Sequence, residues 1–228
     1  MRNLVVACLI VLSLTVGVSA LRATPITIYS TGVDASGNLL ADGVLDPHYS
    51  LISSPNGAGS AYVVISAQGG WPAYPFPAWA ADGPSSKWIG PQADQTSNAN
   101  NLLPGTYTYE TTFTLTANQV ETFSINGIWS TDNNGLDIIV NGHSLGYTTP
   151  FTAYQDFDAT HYLFMIDDSQ GFLQAGVNTL DFVVANGLDV PNPAGLRVQF
   201  SSVPEPLSMS LMGLGLLGIG LLRRRFLR

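Results

Sequence analysis

Between residues 26 and 200 the apolar positions come in short runs, four to eleven residues long, parted by turn chemistry. The clearest run is Thr106–Thr116, where Tyr107, Tyr109, Thr111, Phe113 and Leu115 alternate with Thr106, Thr108, Glu110, Thr112, Thr114 and Thr116. A period of two sends the first set to one face of a strand and the second to the other. Shorter runs predict strands at Ile26–Tyr29, Tyr62–Ile65, Val120–Trp129, Leu136–Val140, Tyr162–Ile166, Thr179–Val184 and Leu196–Phe200. Outside the termini no window of helical periodicity reaches twelve residues. Five Asn-Gly pairs, at 56, 126, 134, 141 and 186, supply positions that tolerate positive φ. Those at 134 and 141 predict hairpin corners bracketing Leu136–Val140, and Asn126-Gly127 predicts a bulge. Gly32–Gly43 reads as a polar loop, and residues 69–91, with five prolines and three of the four tryptophans, read as a long irregular loop. The expected fold is all-β: an antiparallel β-sandwich of jelly-roll type over residues 21–202.

The two ends follow other rules. Met1-Arg2-Asn3, the apolar Leu4–Val18 and the small-residue site Val18-Ser19-Ala20 predict a helical signal peptide over residues 1–20, with the mature chain beginning at Leu21. Cys8 is the only cysteine and leaves with that peptide, so the mature domain has neither a disulfide nor thiol chemistry.

At the other end, residues 203–228, Val203-Pro204-Glu205-Pro206 precedes sixteen uncharged residues, Leu207–Leu222, and then Arg223-Arg224-Arg225 and Arg228. The prolines hold the spacer extended. As a transmembrane helix the apolar stretch would measure about 24 Å, short of a hydrocarbon core of about 30 Å, so it must borrow flanking residues or thin the bilayer. The arginines are a cytoplasmic stop, which puts the rest of the mature chain outside.

Pro204-Glu205-Pro206, the short glycine-rich span and the arginine cluster together resemble the PEP-CTERM sorting signal of Gram-negative, exopolysaccharide-producing bacteria. The resemblance implies a partner, the membrane-embedded exosortase. It would recognise the tail, cut near the motif, and release or re-attach the protein at the surface. Anchoring in the inner membrane would then be temporary, and the final location the cell surface or the extracellular matrix.

Three central stretches resemble the galactose-binding-like jelly roll, as in the sugar-binding domain of family 2 glycoside hydrolases. They are Gly105–Phe113, Ile138–Gly142 and Ala175–Phe182. This resemblance implies fold and a lean toward glycans, with no ligand residue carried over.

Charge narrows the partners. From Leu21 to Val203, fifteen Asp and Glu stand against Arg22, Lys87 and Arg197, a net charge of −12. Such a surface repels nucleic acid and leaves cations and neutral polymers, extracellular polysaccharide among them.

Candidate chemistry is sparse. Trp71, Tyr74, Trp79 and Trp88, with Phe76, sit among Pro72, Pro75, Pro77 and Pro84. Flat rings on a proline-stiffened loop would stack on sugar rings at low ordering cost; the preferred alternative is a second small core. Asp132, Asn134 and Asp137 surround Gly135 as a weak candidate calcium site, though they miss the EF-hand spacing. No other cofactor is implied. His48, His143 and His161 are scattered, and Glu110 and Glu121 are the only glutamates of the domain, so an enzyme is not expected. The expected function is that of a non-catalytic surface or matrix protein associated with exopolysaccharide or biofilm. A carbohydrate-binding module and a glycan-active hydrolase are the alternatives.

Overall fold

The computed structural model describes residues 26–66, 75–96, 102–158, 160–187 and 192–201. The expected signal helix and the apolar tail lie outside these. Among the described residues no helix is long and apolar enough to cross a membrane.

Among the described residues ten strands form one sheet: β1 Leu45–Ser53, β2 Gly59–Val63, β3 Ile89–Gly90, β4 Gly105–Leu115, β5 Ser124–Asp132, β6 Asn134–Val140, β7 His143–Ser144, β8 Leu163–Asp167, β9 Gly176–Asn186 and β10 Gly195–Phe200. The spatial order is β7-β6-β9-β4-β1-β2-β3-β10-β5-β8, and each strand runs antiparallel to its neighbours. The sheet curls until its distant parts face each other. Trp129 of β5 lies 5.9 Å from Phe182 of β9, and Phe164 of β8 lies 5.8 Å from the same ring. Two separate packed sheets were expected; one continuous sheet is found. The cause is the two-residue β3, whose Ile89 pairs with Val63 on one side and Leu196 on the other.

The alternation in β4 is realised. Tyr107, Tyr109, Thr111, Phe113 and Leu115 are buried, and β4 pairs with β9 without interruption from Gly105–Asn186 to Leu115–Gly176. One turn of helix, α1 Ala117–Val120, follows β4, closed by reciprocal capping between Thr116 and Gln119.

Several expectations fail locally. Ile26–Tyr29 forms no strand; Ile26 and Ile28 pack against the core, and Thr31 N–H bonds Val198 C=O at 3.0 Å. The nine-residue β1 was unforeseen, because Asp46, Pro47 and His48 break its pattern and its register shifts between Leu45 and Ser50. Asn141-Gly142 is a hairpin corner, with φ of 50° and 82°, joining β6 to β7. Asn134-Gly135 is no corner: it begins β6 and pairs with β9, while β5 pairs elsewhere. Asn126-Gly127 carries no bulge, since both residues keep regular pairs with Met165 and Phe164.

Candidate functional sites

The aromatic–proline segment builds a small core of its own. Pro75 C=O accepts from the N–H of Ala78 and of Trp79, at 2.9 and 3.2 Å, turning the chain so that Trp79 points inward. Trp79 is 3% exposed and Trp88 0%, their centroids 4.5 Å apart, with Phe76 edge-on to Trp79 at 5.9 Å and Val64 beside them. Both indole N–H groups are satisfied inside: Trp88 donates to Ala80 C=O and Trp79 to Asp132 Oδ2, each at 2.8 Å. The stacking platform is therefore corrected at these two positions, whose faces are covered by protein. Trp71 and Tyr74 lie outside the described residues.

The calcium candidate is corrected too. Asp132 is buried, and its carboxyl accepts from the Trp79 indole and from Asn133 Nδ2 at 2.5 Å. Burial pushes its pKa up to about 7, although the indole hydrogen bond favours the ion. Asp137 is turned to another partner, accepting from Gly146 N–H at 2.9 Å. Asn134 begins β6, opposite Ala185. The three residues serve separate partners and do not converge on one centre. Among the described residues, no three His, Cys, Asp or Glu side chains group to hold a metal.

Sequence reasoning missed Arg197. It is buried on β10 and reaches across the aromatic segment, donating from Nε to Ser86 Oγ at 2.9 Å and from Nη1 to Ala81 C=O at 2.6 Å. The Phe157 ring lies 3.7 Å from the guanidinium carbon. Burial lowers its pKa to about 10 despite the attraction of Asp82. Nothing in the spacing of a lone arginine on a strand signals that role; the network pins a loop to the sheet.

Also missed was a pair of carboxyls on the polar face of β4 and β9. Asp181 stands directly opposite Glu110, with Ser50 on the far side of Glu110 and Ile139 beyond Asp181. Partial burial and then the charge and hydrogen bonding of Glu110 push Asp181 up to about 6, and its Oδ1 is enclosed with no hydrogen-bond partner. Their neighbours along the strands on this face are Thr108 and Thr112 on β4, and Thr179 and Val183 on β9.

The histidines keep apart: His48 stacks on Tyr29 at 3.6 Å, His143 on Phe172 at 4.4 Å, and His161 Nδ1 meets Asp156 Oδ2.

Pro204, Glu205, Pro206 and Arg223, Arg224, Arg225 lie outside the described residues. A profile of the PEP-CTERM protein-sorting motif matches residues 202–225, so the chain carries that motif. The motif implies an exported protein, anchored in the membrane before processing and processed by exosortase. No curated protein matches the chain.

Proposed function

We propose that the β domain is non-catalytic cargo, delivered by its sorting tail to the cell surface or matrix, where it associates with exopolysaccharide in a biofilm. The sorting motif at residues 202–225, placed directly after the last strand of the domain, carries the reading. Supporting it are the resemblance of β4, β6 and β9 to a galactose-binding-like jelly roll and a net charge of −12 over Leu21–Val203, which favours neutral polymers over anionic ones. Buried Trp79 and Trp88 leave the aromatic segment the task of holding one part of the domain together. Association with polysaccharide then falls to the exposed polar surface, through hydroxyl groups such as those of Thr106, Thr112 and Thr114 on β4.

Processing is tested on the tail. In cells that make the chain, mass spectrometry of the surface fraction should find a form lacking Leu207–Arg228. Replacing Pro204-Glu205-Pro206 by three alanines should retain the uncut chain in the inner membrane. A surface form ending at Arg228 would refute exosortase processing. Polysaccharide from the same cells should retain the processed protein in a pull-down; free passage would remove the exopolysaccharide reading while leaving the sorting intact.

A further inference from the structure

Among the described residues the curled sheet has two edges. One is β7, only two residues long, and the other is the five-residue β8. A free edge is a template for another strand, and a short one offers little to pair with. β8 is the edge that needs protection.

Its inner side is occupied by β5, from Ser124–Asp167 to Ile128–Leu163. In an antiparallel ladder alternate residues turn both N–H and C=O toward the partner, and those between turn both away. Met165 is one of the latter. Its N–H donates to the Tyr147 hydroxyl at 3.1 Å, and that hydroxyl donates to Met165 C=O at 3.2 Å. One phenol thus fills both backbone positions at the middle of the edge. By the same alternation Leu163 and Asp167 also turn their backbone groups outward.

Tyr147 reaches β8 from the opposite end of the sheet order. It lies on a stretch fastened to β6: Leu145 N–H bonds Ile138 C=O at 2.9 Å, Gly146 N–H bonds Asp137, and Thr149 N–H bonds Gly135 C=O at 3.0 Å. The Tyr147 ring packs edge-on against Phe164, centroids 6.2 Å apart. The phenol therefore joins the β6 end of the sheet to its β8 end.

We propose that Tyr147 is a latch over a self-association site, and that the partner fitting the unlatched β8 edge is the β8 edge of a second copy of this chain. Strand and partner are self-complementary. Antiparallel pairing centred on Phe164 sets Leu163 opposite Met165 twice, and both pairs have outward backbone groups. Those two side chains are also apolar and exposed, at 53% and 46%, where an edge strand held apart by charge would carry lysine or glutamate. In this register the two Asp167 carboxylates fall at opposite ends of the ladder, so the acidic residue of the strand does not oppose itself. With the latch closed, the phenol occupies the central donor and acceptor and the ladder cannot form.

The test uses the form recovered from the cell surface. Hydrogen exchange on the wild type should show the Met165 amide protected at least about tenfold beyond those of Leu163 and Asp167. Tyr147→Phe keeps the ring on Phe164 and removes only the hydroxyl. In that variant the protection of Met165 should drop to the level of its two neighbours at low protein concentration. At high concentration, sedimentation should show a dimer that the wild type does not form, and adding Leu163→Lys should return it to monomer. Equal exchange at the three amides in the wild type would overturn the latch, even if Tyr147→Phe failed to fold. A Tyr147→Phe protein that loses Met165 protection yet stays monomeric at every concentration would overturn the self-association site.

Discussion

The indole N–H of Trp79 donates to Asp132 Oδ2 at 2.8 Å, with both side chains buried. One contact ties the aromatic–proline segment to the last residue of β5, and it decides what that segment can do. A ring whose face packs on Trp88 and whose polar edge is spent on a carboxyl is structural.

Trp79→Ala should therefore unfold more than it unbinds. Removing the ring costs about 3–5 kcal/mol as a large-to-small core change. Asp132 also loses a donor while buried, which adds to the loss without simple additivity. Against a domain stability of about 5–15 kcal/mol this is a large share, and thermal melting should fall by roughly 10 °C or more. A melting temperature within two or three degrees of wild type would contradict the buried assignment.

Much of this was legible in the sequence, and the failures have physical causes. The strand β4 was plain because its alternation is unbroken over eleven residues and one face is core. The strand β1 was hidden, since its buried Asp46 turns inward to accept from Gly32 N–H at 2.7 Å and from His48 N–H, which composition reads as loop. Asn-Gly at 141 meets the corner chemistry, whereas at 126 the glycine serves a neighbouring ring. That need comes from Phe164, thirty-seven positions after Gly127, and no local pattern contains it. The carboxyl pair was missed for the same reason: Glu110 and Asp181 meet only through the β4–β9 register.

Asp181 of that pair, together with Asp132, sets a pH dependence. Asp132 is raised to about 7 and Asp181 to about 6, each from 3.8, with burial the leading cause. A carboxyl with a raised folded pKa binds its proton more tightly in the native state. Its stabilisation is full below the unfolded value and is lost as pH rises through the folded one. Asp34, Asp158 and Asp167 are lowered by hydrogen bonds to neighbouring residues, so their contribution is lost as pH falls below about 4. Stability should peak near pH 4–5 and decline toward pH 7, by on the order of 1–3 kcal/mol once the partial exposure of Asp181 is discounted. Melting curves across pH 3–8 check this. The decline between pH 5 and 7 should flatten in a variant carrying Asp132→Asn and Asp181→Asn; an unchanged slope there would assign it to other groups.

Gly127 offers a test in which the sign of the effect is the answer. It pairs with Phe164 across β5 and β8, and its backbone is not in the positive-φ region. Conformational entropy alone then favours alanine, by about 0.4–1 kcal/mol, because the unfolded chain loses freedom. Packing opposes it. A Cβ built on Gly127 would collide with the ring of Phe164, which is itself 2% exposed and wedged between Phe182 and Phe200 at 5.8 and 5.7 Å. A ring so enclosed cannot move aside cheaply, and overpacking of this kind costs about 1–3 kcal/mol. Gly127→Ala should therefore destabilise. Phe164→Leu, which leaves room for the methyl, should make the same glycine change less costly, with a coupling of about 0.5–3 kcal/mol in a double-mutant cycle. Denaturant midpoints of the four proteins give the cycle directly. A Gly127→Ala protein more stable than wild type would mean that the ring of Phe164 does not lie over this glycine.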